Sequence, residues 1–436
     1  MIEGVKEWLH QHKIMYYPMG GDKWIFYSPI ARRYAVASVD QLQDFISHGK
    51  YPDVLGRLID YVPIQQQTKV RSPQDYTLLT VLPNNVCNFT CSYCYSAHGR
   101  GSSRLEWDQL KVAIDFFMDS KPQGFNRQLT ISYMGGGEPM LSWEVVKKGI
   151  IYAERRAGER GLKLQYRIIT NGSILNDEIL EFLSKHQVAV SVSFEVLPEI
   201  QDKQRGSFSL VSAHILRLIQ RGIDVQINST ITPDNVARMT EMINVLHDNY
   251  PQVKNVMFEP VTGQELFSSA LEMREFYDTY VDQFLSCLRL TDTLGLALTS
   301  FAYLRTIFPL ERACPGELCI TADGYFTGCY CVSSPKERLF SQTCYGRVDH
   351  DNVVFDMERY QALKAHDVYE RGECQDCEVK WNCGGGCYYQ FASYSDSYRS
   401  EVCRFTKQFV ENLVRYKVEC RLSHEMAGDE PILLNE

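Results

Sequence analysis

From residue 77 to about 260 the chain alternates short aliphatic runs with longer segments of helical period. The runs Leu78–Leu82, Gln128–Met134, Lys163–Ile169, Val188–Phe194, Asp224–Ser229 and Asn255–Glu259 read as strands. Helical patterns lie between them. In the first, Leu110, Ile114 and Phe117 share one face at i, i+4 and i+7. Such alternation predicts parallel strands joined by right-handed crossovers. The expected class is α/β, with six units forming a partial (β/α)6 TIM-like barrel. No short-period repeat exists beyond this alternation.

The flanks differ. Residues 1–70 predict a small α+β region: a helix, strands at Lys23–Tyr27 and Arg33–Ala37, and short helical patterns around Gln41–Ser47 and Val54–Tyr61. The polar stretch Gln65–Asp75 reads as a linker. Residues 301–436 are rich in Cys, Gly and Tyr, with few long periodic stretches, and suggest a small core held by metal sites. A closing helix from about Arg404 puts Phe405, Phe409, Leu413 and Tyr416 on one stripe. The expected domains are 1–70, 71–300 and 301–436.

Composition narrows the classes. At 436 residues, the chain is too long for one ordinary core. A net charge of −9 argues against a nucleic-acid partner. No apolar run reaches the length of a membrane span, so no membrane partner is expected. The segment Met1–Lys13 mixes charges among apolar residues, unlike a signal peptide, and a cytoplasmic protein is expected. Cysteine is the outlier: 15 residues, an odd number that a reducing compartment turns toward thiolate ligation. Only Cys287 and Cys420 stand apart from the three clusters, and both fall at helical spacing as core thiols.

The first cluster is Cys87-x3-Cys91-x2-Cys94, directly after the first strand. Three thiolates this close can wrap a four-iron cube and leave one iron open. A Cys3His zinc site with His98 is the alternative. Three further motifs follow the next three strands: Gly135-Gly136-Gly137-Glu138-Pro139, then Thr170-Asn171-Gly172, then Ser193-Phe194-Glu195 with Asp202 and Arg205 beyond it. All sit at C-terminal strand ends, the face where parallel barrels build active sites. Singly each is weak; together on one face they are not.

This set, with aromatic Tyr93 before Cys94, resembles the radical S-adenosylmethionine (SAM) superfamily. The resemblance implies that SAM fills the open iron site. It implies that Gly136, Gly137 and Glu138 hold the SAM amino group. It places Tyr93 and Asn171 in the cofactor site, Ser193 and Glu195 near the ribose, and Arg205 near the SAM carboxylate. The family more often carries Asp where Glu195 stands.

The second constellation is Cys314, Cys319, Gly324-x4-Cys329, Cys374-x2-Cys377-x5-Cys383-x3-Cys387 and Cys403. Paired zinc ribbons are the bland reading. The spacing resembles the SPASM domain of peptide-modifying radical SAM enzymes. That resemblance implies interleaved ligation: Cys314, Cys319, Cys329 and Cys387 for one auxiliary cluster, and Cys374, Cys377, Cys383 and Cys403 for the other. Cys331 and Cys344 are read as structural thiols, with spare ligation or hydrogen-atom donation as alternatives.

The implied cofactors are three [4Fe–4S] clusters and SAM. The implied function is a maturase that abstracts a hydrogen atom from a ribosomally made peptide to install a crosslink, thioether or epimerised centre. Its partners would be that peptide or protein, met through a leader peptide, and a low-potential electron donor such as flavodoxin or ferredoxin. The competing branch is the anaerobic sulfatase maturases. They usually carry Asp after the third auxiliary cysteine, where this chain has Tyr330, and they usually start near the SAM motif, whereas roughly 76 residues precede it here. Residues 1–70 suit either leader binding by strand addition or a cap on the barrel. A non-catalytic iron–sulfur protein is the reading from another class, and the intact triad speaks against it.

Overall fold

After the expected first helix, Glu3–Gln11, come three six-residue strands, β1 (Met15–Gly20), β2 (Lys23–Ser28) and β3 (Arg33–Ser38), joined antiparallel. The computed structural model describes residues 3–62, 72–314, 316–422 and 431–435. Strand β1 was not legible because Pro18 interrupts its pattern, and the register shifts between Pro18 and Gly20. The expected helix at Val54–Tyr61 shrinks to the 3-10 turn Gly56–Leu58. Most of the expected Gln65–Asp75 linker lies outside the described residues; its end is the turn Pro73–Asp75.

The parallel strands follow: β4 (Leu78–Val81), β5 (Leu129–Tyr133), β6 (Leu164–Thr170), β7 (Ala189–Ser193), β8 (Val225–Ile231), β9 (Asn255–Pro260) and a short seventh, β10 (Ala297–Thr299). They lie side by side in chain order, each parallel to the next. Strand β8 shows the cause: buried residues alternate with half-buried ones along it, one set packing on helices and the other facing across the sheet. On the helix Trp107–Asp119, Leu110, Ile114 and Phe117 are all buried. Among the described residues the sheet stays open, as a partial barrel does.

The C-terminal region continues the same sheet. Strand β11 (Leu318–Ile320) pairs parallel with β4, and β12 (Tyr325–Thr327), β13 (Cys344–Asp349) and β14 (Asn352–Phe355) add an antiparallel meander. The result is one sheet of eleven strands crossing the expected boundary near residue 300. A last strand, β15 (Ile432–Asn435), returns to the opening sheet and pairs antiparallel with β3.

The closing helix spans Asp396–Leu422, so it begins before the expected Arg404 and carries Cys403. One face packs on the helix Ala270–Leu294: Phe405 stacks on Tyr277 at 4.3 Å, and Phe409 meets Tyr280 and Phe284. Its other face sets Val410, Val414, Val418 and Leu422 against Tyr17, Ile25, Tyr27 and Tyr34 of the opening sheet. Cys287 is buried, but Cys420 is exposed, which corrects its reading as a core thiol. Toward its end the helix buries Val418 and Leu422, on the face turned to the opening sheet, and Cys420 lies off that face.

Phe409 is 2% exposed and bridges several rings. Phe409→Ala is expected to lower unfolding free energy by about 3–5 kcal/mol in a denaturant titration, as other large-to-small core changes do.

Candidate active site

The site is built from loops at the C-terminal ends of β4 to β9. The cysteine loop after β4 and the glycine loop after β5 are zipped together by backbone bonds. Gly137 N donates to Asn84 O (2.9 Å) and Glu138 N to Val86 O (2.8 Å). Asn84 Nδ2 adds bonds to Glu138 O and Ser142 Oγ, each 2.9 Å. The approach explains the glycine at 137: a Cβ there would lie 1.9 Å from Val86 O. Gly136 is needed for a second reason, its φ of +64°.

Glu138 is 2% exposed. Its carboxylate accepts from Thr170 Oγ1 (2.6 Å), Met140 N (3.0 Å) and Asn171 N (2.7 Å), tying the third motif to the second. Burial pushes its pKa up, and these donors pull the other way. Both of its oxygens are therefore engaged by the protein itself. Asn171 in turn donates to Asn88 Oδ1 (2.9 Å) and stands 4.0 Å from Cys87 Sγ.

The three thiols of Cys87, Cys91 and Cys94 are electrostatic neighbours. Burial pushes the Cys91 thiol up, while Arg205 and Arg100 draw it down. Arg100 Nη2 points at Cys94 Sγ (3.3 Å) and its Nη1 at Phe89 O. His98 is exposed. Three thiols facing two guanidinium groups suit an anionic iron–sulfur cluster with one open position better than a Cys3His zinc site. Among the described residues no three Cys, His, Asp or Glu side chains are drawn together as for a single metal ion.

Tyr93, Glu195 and Arg205 form one buried network. Arg205 Nη1 donates to Tyr93 Oη (2.8 Å), Tyr93 Oη donates to Glu195 Oε1, and the Arg205–Glu195 ion pair spans 3.8 Å. Ser229 Oγ (2.7 Å) and Thr230 N (3.1 Å) fill the second Glu195 oxygen. Burial raises the Glu195 pKa and the Arg205 charge opposes it. Arg205 Nε is buried and unpartnered, so this cation keeps a donor in reserve. Ser193 ends β7 half-buried, whereas Asp202 is exposed and accepts from Phe208 N (2.8 Å), the first N–H of the helix Phe208–Gln220.

The remaining thiols fall into two sets. Cys314 feels Cys329 and Cys387, Cys319 feels Cys329, and Cys331 hydrogen-bonds Cys329 and feels Cys387. Separately, Cys383 feels Cys403, Cys377 and Cys374, and Cys374 feels Cys377 and Cys403. The crossing between them runs through Gly384, Gly385 and Gly386, all at positive φ. A Cβ on Gly384 would lie 2.4 Å from Ala313 N, next to Cys314. Cys344 is buried on β13, with Sγ 3.7 Å from Gly346 O.

Sequence reasoning missed several residues. Tyr95 is half-buried and interacts with Cys94 on one side and with Cys329 and Cys331 on the other, with its ring 5.9 Å from that of Tyr330. It links the triad to the first auxiliary set, and its place beside Cys94 was the available signal. Glu317 carries a buried, unpartnered Oε2 beside the same tyrosines and Cys331. Glu259 lies near the end of β9, on the same face as the motifs, and accepts from Phe301 N (2.8 Å). Burial pushes its pKa up to about 7.

Residues 81–246 match the profile of the radical SAM superfamily. The chain carries a radical SAM domain. The chain is 21% identical to the serine-type anaerobic sulfatase-maturating enzyme of Klebsiella aerogenes over 341 residues, 73% of this chain and 80% of that one. It is 25% identical to the radical SAM cyclopropyl synthase TigE of Paramaledivibacter caminithermalis over 139 residues, but that covers only 29% of either chain. Among solved structures, anSMEcpe with bound AdoMet and Kp18Cys peptide superposes with a TM-score of 0.63 at 16% identity, covering 79% of this chain and 99% of that one. Streptococcus suis SuiB bound to S-adenosylmethionine superposes with a TM-score of 0.55 at 13% identity, covering 88% of this chain and 98% of that one. At these identities the superpositions establish a shared fold.

Two outcomes are expected. Glu138→Ala leaves two buried N–H groups and a hydroxyl unpartnered and should cost about 2 kcal/mol or more in a denaturant titration. Glu259 holds its proton to higher pH in the folded chain than in the unfolded one. Its contribution is therefore present below the ordinary 4.5 and is lost as pH rises through about 7. Glu259→Gln stays neutral and keeps an acceptor for Phe301 N. It should leave stability near wild type at pH 4.5 and raise it by about 1–3 kcal/mol at pH 8.

Proposed function

We propose that this radical SAM chain is a peptide maturase that cleaves SAM reductively and removes a hydrogen atom from a ribosomally made peptide. The observation that carries the reading is the grouping of the cysteines: one triad at the head of the parallel strands and, in the C-terminal region, one set of Cys314, Cys319, Cys329, Cys331 and Cys387 and another of Cys374, Cys377, Cys383 and Cys403, with Tyr95 between the triad and the first of these. Cys87, Cys91 and Cys94 would hold a [4Fe–4S] cluster open to SAM. Cys314, Cys319, Cys329 and Cys387 would hold a second, and Cys374, Cys377, Cys383 and Cys403 a third. The chemistry that cluster and SAM supply when bound is reductive cleavage to methionine and a radical able to abstract hydrogen.

The chain's own residues set the stage for that chemistry. Arg100 and Arg205 balance the negative charge at the triad. Arg205, held over Tyr93 with its centre 5.9 Å from the ring, keeps its cation beside the cluster loop for the SAM carboxylate. Glu138 fixes the Thr170–Asn171 turn against the glycine loop, so Gly136, Gly137 and Asn171 border the SAM amino end. Ser193 and Glu195 lie toward the ribose. Reduction would come from flavodoxin or ferredoxin in the cytoplasm. No described helix is long and apolar enough to cross a membrane.

Sulfatase maturation is the second reading, favoured by the 73% of this chain that aligns with the Klebsiella enzyme. Against it stand Tyr330 in the usual Asp position and the additional sheet at residues 15–38, which suits leader recognition.

Iron and sulfide analysis of anaerobically reconstituted protein should give about twelve of each per chain. The Cys87→Ala, Cys91→Ala, Cys94→Ala variant should retain about eight irons and form no 5′-deoxyadenosine from SAM. Full iron content in this variant would end the triad assignment. Wild-type protein that is reduced, loaded and still unable to form 5′-deoxyadenosine would favour a non-catalytic iron–sulfur protein. Modification of a sulfatase peptide, with no activity on a precursor peptide, would favour the second reading.

A further inference from the structure

The opening sheet has two edges, and they differ in kind. At the β1 edge, Pro18 offers no N–H, its carbonyl accepts from Arg415 Nη1 (2.5 Å), and the strand is irregular between Pro18 and Gly20. Such features blunt an edge against strand addition. Strand β3 has no such guard. It runs regularly from Arg33 to Ser38, and its outer side is taken by β15 in the pairs Ile432 with Val36, Leu433 with Ala35, Leu434 with Tyr34 and Asn435 with Arg33.

The seat of β15 is specific but small. Ile432 and Leu434 enter the apolar cluster of Tyr34, Val36 and the closing helix, while Leu433 lies on the other face. Leu434 is buried, and Ile432 and Leu433 are half-buried. Strand β15 has four residues against six in each strand of the hairpins it joins, and it is paired on one side alone. A short edge strand is the element that opens most readily.

We propose that β15 is a built-in competitor at the β3 edge: it holds the seat that an added peptide strand with aliphatic side chains two residues apart would take, and it is displaced when such a peptide binds. This deepens the peptide-maturase reading and rests on it. The occupant's chemistry is read from β15: backbone ladder bonds give affinity, and the pockets filled by Ile432 and Leu434 give selectivity. Self-occupancy lowers apparent affinity for a peptide in proportion to the fraction of open chains.

The probe is a fluorescein-labelled peptide with the sequence of residues 431–436, Pro-Ile-Leu-Leu-Asn-Glu. Anisotropy is measured with the full chain, a chain ending at Leu422, and the full-length Leu434→Asp variant. If β15 holds the edge in nine chains of ten, both altered proteins bind the probe about tenfold or more tighter than the full chain. A probe with Asp in place of its second leucine binds none of them. Equal binding by folded variants and full chain overturns the proposal. So does loss of the folded circular dichroism spectrum in both variants, because β15 is then a structural strand. SAM cleavage is assayed in parallel on the reconstituted chain ending at Leu422. Absent probe binding with normal 5′-deoxyadenosine formation sinks this inference alone. Probe binding without SAM cleavage by the full chain sinks the maturase reading instead.

Discussion

The helix Asp396–Leu422 is the constraint on which the other parts depend, because it is apolar on two faces. One face lays Phe405 and Phe409 on the long helix Ala270–Leu294 that closes the partial barrel. The other lays Val410, Val414 and Val418 on the opening sheet. Its first turns carry Cys403, so the packing that joins the regions also sets one thiol of the group it forms with Cys374, Cys377 and Cys383. Partly buried ion pairs fix its register: Glu401 receives Arg274 at 2.6 and 3.0 Å, and Arg404 reaches Asp278 at 2.7 Å. Burial on both faces stabilises it far more than helix propensity does.

A second constraint is electrostatic. The site holds two carboxylates with almost no exposure, Glu138 and Glu195. Buried charge is costly unless it is paired and hydrogen-bonded. Here each carboxylate meets several donors, and Arg205 acts on both. These contacts join the loops after β4, β5, β6 and β7, so a perturbation at one motif is felt at the next. The arginines then leave positive charge facing the three thiols, the arrangement an anionic cluster and a carboxylate-bearing ligand require.

The continuous eleven-stranded sheet gives Cys319 its place beside the triad. Strand β11 pairs with β4, the strand that leads into the cysteine triad. Cys319 on β11 and the triad loop therefore leave neighbouring strands of one rigid framework. Tyr95 and Tyr330 fill the space between the two groups of thiols. This is a close, half-buried contact between the barrel and the C-terminal region.

Period and spacing in the sequence were enough for the six parallel strands, the triad loop and the ordered motifs at the strand ends, but not for Cys331, which spacing left outside both sets of thiols and which lies against Cys329. These features are local: a strand needs its alternation, and a loop ligand needs its neighbours. Features made by partners distant in sequence were not legible. Strand β10 is three residues long, and β15 has only three apolar residues; both exist because an edge was waiting to be paired. Cys420 continues the helical spacing of a buried stripe, yet it is exposed because burial depends on what the helix faces at each turn. Glu138 could be marked as a site residue, but its saturation by Thr170, Met140 and Asn171 could not, since those donors converge only when three loops close together. The sequence by itself determined the superfamily resemblance and the kind of chemistry. Tertiary structure alone decided which carboxylates are engaged, which tyrosine stands between the thiol groups and which sheet edge is occupied. Each of those is a contact between segments far apart along the chain, and local pattern carries no record of it.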